Sequence, residues 1–297
     1  MGKTVFMFPG QGSQYIGMGK EFYEQIPICK EVYDLASEVT GLDIPALCFE
    51  ENEKLNITEY TQICMLATEA AIYMALEQNG YQPDVTAGLS LGEYGALIAS
   101  GVMTAEEAFE LVRKRGIFMQ EAVPAGGAMA AVLGLDAGVI ESTLKGIDGI
   151  VSIANYNCPG QLVISGNVEA VKAACEKLKA AGAKRALLLP VGGAFHSPLM
   201  QPAKDELQAA IEATTFNTPK CAVYQNVDAQ AHTDAEEIKA NLIAQLTASV
   251  RWTQEVQNMI AAGATDFTEC GPGKVLQGMI GKIAKGNDAV TAHGIQA

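Results

Sequence analysis

The sequence predicts an α/β protein: a parallel-sheet large domain carrying an inserted ferredoxin-like (βαββαβ) small subdomain. Short apolar runs such as Thr4-Val-Phe-Met-Phe8 have the length and continuity of strands buried on both faces of a parallel sheet. They alternate with longer stretches of helical spacing, the pattern of α/β folds. Between positions 124 and 191 the rhythm changes to strand, helix, two strands, helix, strand, the split βαβ order. The expected organisation is therefore a large α/β domain from residues 1–123 and 197–297, interrupted by a subdomain over 124–196. A cleft is expected at their junction.

Composition narrows the class. The 297 residues are 49% hydrophobic and 18% charged, enough to bury a sizeable core. A formal net charge of −14 argues against nucleic acid and against anionic membrane surfaces, because little in the chain neutralises phosphate. The seven cysteines are scattered, odd in number and without a Cys-x-x-Cys pair, which points to free thiols in a reducing compartment. No leader-like start and no long apolar span is read, so a cytoplasmic protein is expected.

In chain order, the first strand (4–8) stops at Pro9-Gly-Gln-Gly-Ser-Gln14, at the strand end where open α/β sheets place ligands. The loop is no dinucleotide fingerprint, since Tyr15 stands where a third glycine would be, and it lacks a Gly-Lys-Ser/Thr ending. Either a plain βα loop or a backbone N–H donor at the sheet edge fits it. Helices are predicted over 19–26 and 28–40, broken by Pro27 and stopped by Gly41, and again over 61–79.

A strand at 85–89 then runs into Gly88-Leu-Ser-Leu-Gly92 and a helix at 93–100. This is the strand–turn–helix context in which Gly-x-Ser-x-Gly marks a nucleophile elbow. The glycines let the turn tighten and the helix approach, while the helix N-terminus favours developing negative charge. Ser90 is the candidate nucleophile.

Thr104-Ala-Glu-Glu107 is a capping box opening a helix to residue 122. Arg115 falls on its apolar stripe with Leu111, Val112, Phe118 and Met119, whereas Arg113 and Lys114 fall off it and are expected in solvent. A core-facing arginine needs an anion. A protein carboxylate, a snorkelling path to water, or a substrate carboxylate gripped by the planar fork each answer that need.

The subdomain reads as a strand at 127–134, a helix at 136–145, strands at 150–155 and 161–165, a helix at 168–181 and a strand at 184–191. The chain returns through Ala194-Phe-His-Ser197. Ser197-Pro198 has the N-cap and N1 chemistry of a helix start, which puts His196 at the domain seam. His232 lies in a polar loop and His293 in an expected mobile tail, so location makes His196 the candidate base for Ser90. A structural histidine is the competing reading. Strands at 221–226 and 265–270, helices at 234–248 and 252–262, the turn Cys270-Gly-Pro-Gly-Lys274 and a helix at 275–285 complete the chain.

Six segments together resemble the malonyl-CoA:acyl-carrier-protein transacylase family: Phe8-Pro-Gly-Gln-Gly-Ser-Gln14, Gly88-Leu-Ser-Leu-Gly-Glu93, Arg115-Gly with Met119-Gln-Glu-Ala-Val-Pro124, Asn155-Tyr-Asn-Cys-Pro-Gly-Gln161, Ala194-Phe-His-Ser197 and Gly271-Pro-Gly-Lys-Val-Leu276. They span nearly the full length in the family's order. The resemblance implies a hydrolase-like large domain and an active site between it and the subdomain. It implies Ser90 as nucleophile, His196 as base, the backbone N–H groups of Gln11 and Leu91 as oxyanion hole, and Arg115 as the malonyl carboxylate's partner. Gln62, Asn157 and Phe195 would line the substrate site, with Phe195 narrowing it against an α-methyl group. The implied reaction moves malonyl from malonyl-CoA to the phosphopantetheine thiol of acyl carrier protein by a ping-pong route through acyl-serine, with no cofactor or metal. Lys184-Arg185 and Lys282–Lys285 are candidate basic patches for the acidic carrier.

Three positions depart from the family pattern: Leu89 stands where histidine is usual, Arg251 where some members have glutamine, and Ile63-Cys64 where Pro-Ala is usual. At the glutamine position a main-chain carbonyl is expected to orient the histidine. Two other classes share part of the evidence. A thioesterase would also carry Gly-x-Ser-x-Gly, but with an Asp/Glu between serine and a late histidine. A carrier-binding accessory protein would not need an intact Ser90/His196 pair.

Overall fold

The computed structural model describes residues 2–123 and 126–295. The expected boundary at 123/124 and the Pro124 end of the third motif lie outside them. Among the described residues ten strands run in chain order: β1 (Lys3–Phe8), β2 (Val85–Gly88), β3 (Gly127–Leu133), β4 (Val151–Cys158), β5 (Gln161–Asn167), β6 (Arg185–Leu188), β7 (Ala222–Tyr224), β8 (Ala231–His232), β9 (Ala264–Glu269) and β10 (Thr291–Gly294). They form a six-stranded sheet of order β10-β9-β1-β2-β7-β8 and a separate four-stranded sheet of order β4-β5-β3-β6.

The larger sheet is parallel from β10 to β7, and only β8 turns back. Its central pair, β1 and β2, is in register from Val5 opposite Val85 to Phe8 opposite Gly88. Both strands therefore end together, and their carboxyl-terminal loops meet. Those loops are the 9–14 segment and the Ser90 turn, so parallel pairing alone brings two of the six motifs side by side. One face of the sheet packs on Phe6, Phe8, Leu66, Tyr94 and Phe109, the other on Val5, Met7, Trp252 and Phe267. The helix Thr58–Gln78 is buried on nearly every side, which explains its Ala, Met and Leu content without a polar stripe.

The smaller sheet is antiparallel throughout and packs its own cluster of Ile140, Ile164, Val171 and Leu178 under the helices Ala137–Leu144 and Val168–Ala180. Its other face supplies Met129, Ala154 and Val163 to the main core. A bridge from Asn155 to Val250 ties β4 to the segment just before the helix Trp252–Ala261. The two sheets are thus clamped along one seam.

Local signals hold where the chemistry is local. Thr104 accepts from Glu107 N at 3.2 Å while Glu107 Oε2 accepts from Thr104 N at 2.8 Å, and the helix runs Ala105–Glu121. Ser197 caps a one-turn 3₁₀ helix, Pro198–Met200, by accepting from Leu199 N, and the helix Gln201–Ala213 follows. Some expectations need correction. The segment around His293 is not a loose tail: β10 pairs in parallel with β9, and His293 contacts Thr268 and Asp266. Arg113 is not solvated but half-buried, donating to Glu59 Oε2 at 3.0 Å. The helix Ile44–Phe49, too short for a periodic signal, was not expected at all.

Candidate active site

The elbow forms because its flanks carry no side chain. A Cβ on Gly88 would collide with the backbone of Gly92, and one on Gly92 with the Phe8 carbonyl. Ser90 itself takes φ 56°, the left-handed region that costs a non-glycine residue of order 1–3 kcal/mol. That bend lifts the hydroxyl off the strand line at the start of the helix Gly92–Ala99.

Three side chains converge there. Ser90 Oγ lies 2.7 Å from His196 Nε2. His196 Nδ1 lies 3.0 Å from the Gln245 carbonyl, which makes it the protonated nitrogen and leaves Nε2 as the acceptor. Burial, and next the charge of Arg115, press the His196 pKa down to about 4, so the ring is neutral near pH 7. Among the described residues no carboxylate contacts the histidine ring. The pair is a dyad steadied by a backbone oxygen.

Arg115 donates from Nη2 to Ser90 Oγ at 3.3 Å and to Gln245 Oε1 at 3.0 Å, and from Nη1 to Gln62 Oε1 at 2.6 Å. Its guanidinium carbon stands 5.6 Å from the Tyr94 ring centroid, and its Nε has no partner among the described residues. The side chain is 1% exposed, and no protein carboxylate stands within ion-pair distance of it among the described residues. The side chain does not reach water, and among the described residues no carboxylate pairs with it directly; Glu93 acts on it at longer range. Burial lowers its pKa, and the buried Glu93, linked through the Gln245 amide, opposes that shift. A buried fork held by neutral oxygens is suited to receive an anion from outside.

The cleft around these groups has a volume of about 270 Å³ and lies between the two sheets. All eight residues expected at the site line it: Gln11, Gln62, Ser90, Leu91, Arg115, Asn157, Phe195 and His196. The backbone N–H groups of Gln11 and Leu91 meet no acceptor among the described residues. Phe195, beside the base, lines the cleft together with Met119, Met129, Leu89, Leu276 and Met279. No group of three or more His, Cys, Asp or Glu side chains is placed to hold a metal among the described residues, and no helix there is long and apolar enough to cross a membrane.

The profile described as the acyl transferase domain matches residues 5–293. The chain belongs to the acyl transferase family. Among its relatives, the malonyl CoA-acyl carrier protein transacylase of Bacillus subtilis (strain 168) is 46% identical over 288 residues, 95% of this chain and 91% of that protein. The protein of the same name from Escherichia coli (strain K12) is 44% identical over 300 residues, covering 99% and 96%. A solved acyl carrier protein S-malonyltransferase from Vibrio cholerae superposes with a TM-score of 0.95 at 43% identity, covering 99% and 97%. A malonyl-transacylase in complex with its type II PKS acyl-carrier protein also matches with a TM-score of 0.95, at 40% identity and 99% and 96% coverage. The enzyme is an acyltransferase.

In this acyl transferase one expectation about the histidine shifts by six residues. The carbonyl that holds its ring belongs to Gln245, not to position 251, whose carbonyl accepts from Glu255 N at 2.9 Å and whose N–H donates to the Asn226 carbonyl at 3.0 Å. Arg251 is therefore no departure in the site. Residues outside the sequence expectation complete the floor: Gln245, Asn226 and Glu93, all buried. Gln245 Nε2 donates to the Ser90 carbonyl at 2.9 Å and to Glu93 Oε2 at 3.0 Å. One signal pointed at them: Glu93 is a lone charge in an apolar helix, and Gln225-Asn226 follows the apolar end of β7 on the ligand side of the sheet.

Proposed function

We propose that this acyltransferase moves a malonyl group from malonyl-CoA to the phosphopantetheine thiol of acyl carrier protein, by a ping-pong route through a malonyl ester on Ser90. The observation that carries the proposal is the convergence of a neutral histidine and an arginine without a carboxylate partner on one serine hydroxyl, each within hydrogen-bond reach of it. Ser90 Oγ attacks the thioester carbonyl while His196 Nε2 takes its proton. The oxyanion collects at the N–H groups of Gln11 and Leu91, beside the positive end of the helix that follows. The carbon–sulfur bond breaks, His196 returns the proton to the departing coenzyme A sulfur, and the acyl-serine remains. The carrier's thiol then attacks that ester with His196 again taking the proton, and the Ser90 alkoxide leaves reprotonated.

Arg115 pairs with the malonyl carboxylate, exchanging its neutral oxygen partners for a charged one. Gln62 holds the fork's outer edge, Phe195 narrows the wall against an α-methyl group, and Asn157 faces the substrate from β4. The names of the curated relatives and their coverage above nine-tenths in both directions support this substrate pair. We read the large sheet as a hydrolase-like domain and residues 124–196 as a ferredoxin-like insert, supported by the sheet order β4-β5-β3-β6. A cytoplasmic location suits free thiols at all seven cysteines. No resident cofactor enters these steps.

The test is to mix the protein with malonyl-CoA without carrier, digest it, and map the modified peptide. Malonyl on Ser90 is expected. Malonyl on another residue, or none, overturns the reading.

A further inference from the structure

We propose that Asn226 is the positioning residue that holds Ser90 in its left-handed, reactive conformation; the inference rests on Ser90 being the acyl carrier. Asn226 is fully buried, two residues beyond the end of β7. Its Oδ1 accepts the Ser90 N–H at 2.8 Å, and its Nδ2 donates to the Gly88 carbonyl at 2.7 Å. One planar amide thus closes a ring across residues 88–90 on the strand side of the bend, and its Oδ1 also accepts from Gln245 Nε2 at 3.1 Å, the same nitrogen that holds the Ser90 carbonyl on the far side. The second Nδ2 proton goes to Glu255 Oε1 at 2.8 Å. The backbone is committed as well, its N–H to Glu93 Oε2 at 3.0 Å and its carbonyl to Arg251 N at 3.0 Å. Every polar atom of Asn226 is engaged.

A non-glycine residue stays at positive φ only where its surroundings over-determine it. The missing side chains at 88 and 92 permit the turn, and one backbone bond, Gly92 N to the Leu89 carbonyl at 3.1 Å, closes it across Ser90 and Leu91. The Asn226 amide adds to this by fixing the peptide that enters Ser90, while Gln245, bonded to Asn226 Oδ1 at 3.1 Å, fixes the Ser90 carbonyl that leaves it, so the joined pair spans the Ser90 φ torsion. A chemical consequence follows. The nucleophile's own amide is taken by Asn226, so it cannot serve a developing oxyanion, and Gln11 and Leu91 are the amides left to do so.

The amide chemistry is specific. Asn226 sits between two buried carboxyl groups, Glu93 and Glu255, whose pKa values burial raises; Asp228 adds a further negative neighbour to Glu255. Aspartate at this position keeps the acceptor for Ser90 N–H but loses the donors to Gly88 and Glu255. It recovers one donor only when protonated.

The experiment uses the full chain, with Asn226→Asp and Asn226→Ala beside the wild type. It reads melting temperature, kcat and KM for malonyl-CoA, and labelling of Ser90 by a fluorophosphonate, each across pH. For Asn226→Asp, kcat and labelling should fall roughly tenfold to hundredfold at neutral pH, the strain of one left-handed residue expressed as a rate. KM should change little, because the Arg115 fork is untouched. The deficit relative to wild type should shrink as the pH falls toward 5 and the new carboxyl group protonates, while Asn226→Ala shows no such recovery. Equal losses in the two variants at every pH, or wild-type kcat and labelling in Asn226→Asp, overturn the proposal.

Should neither variant fold, hydrogen exchange of the wild type decides: the Ser90 amide should be protected, and exchange at the rate of a free amide overturns the clamp. Failure of the underlying reading looks different. Malonyl would then be mapped away from Ser90 in the wild type, whereas failure of the clamp alone leaves Ser90 labelled and Asn226→Asp fully active.

Discussion

Replacing Arg115 with alanine tests the substrate assignment quantitatively. The guanidinium is 1% exposed, and its contacts are neutral oxygens of Gln62, Gln245 and Ser90. A malonyl carboxylate entering that site would form a buried charge pair, and removing one partner of such a pair costs about 2–5 kcal/mol. At 1.36 kcal/mol per decade this is roughly a 30-fold to several-thousand-fold loss of kcat/KM for malonyl-CoA. Acetyl-CoA offers no carboxylate, so its transfer should fall far less, and the malonyl preference should collapse. A second effect follows from the same charge. Arg115 helps depress His196, so its removal should raise the histidine pKa and move the acid limb of acetyl transfer upward from about pH 4. The assay is steady-state transfer of malonyl and acetyl groups to carrier protein across pH. Equal losses for the two acyl groups, with an unmoved acid limb, would refute the reasoning and make Arg115 a structural residue.

Other expectations are simpler. Ser90→Ala should form no acyl-enzyme detectable by mass spectrometry, and residual labelling at wild-type level contradicts the nucleophile assignment. Gln245→Ala keeps the carbonyl that orients His196 but removes the amide that holds both the Arg115 fork and the Ser90 carbonyl, so KM for malonyl-CoA should rise and kcat should fall together; an unchanged kcat or an unchanged KM counts against it. Phe195→Ala should admit methylmalonyl-CoA at a rate closer to malonyl-CoA, measured as the ratio of the two kcat/KM values; an unchanged ratio removes Phe195 from specificity. His196 also links stability to pH. Its folded pKa lies below the unfolded value of 6.5, so between about pH 4 and 6.5 the unfolded chain binds more protons. Stability should therefore rise with pH across that window, by up to about 3 kcal/mol from this group, and urea titrations of wild type and His196→Ala would expose the difference.

How much of this was legible follows from the range of the forces involved. The elbow could be read because strand, glycines and helix are consecutive, and the Thr104 capping box because its partners lie three residues apart. Arg115 was legible as an anomaly, a charge on an apolar stripe, although which anion it awaits depends on what the fold brings near it. His196 was found by elimination among three histidines. Gln245 and Asn226 escaped because amides carry no periodic signature, and their partners lie 155 and 136 residues away in sequence. The same distance explains the misplaced carbonyl at 251, since a main-chain oxygen has no side-chain identity to read. Arg113 was placed in solvent because helical phase says nothing of Glu59 on a neighbouring helix. The edge strand β10 was missed because Thr291–Gly294 is short and half exposed, so no hydrophobic run announces it.

The most direct measurement begins with malonyl-enzyme prepared from malonyl-CoA and freed of excess substrate. It is then mixed with holo acyl carrier protein or with buffer, and the fate of the malonyl group is followed in time. The group should leave Ser90 for the carrier's thiol much faster than it appears as free malonate. Release as malonate at the same rate with and without the carrier would contradict the acyl-transfer account and make the enzyme a thioesterase.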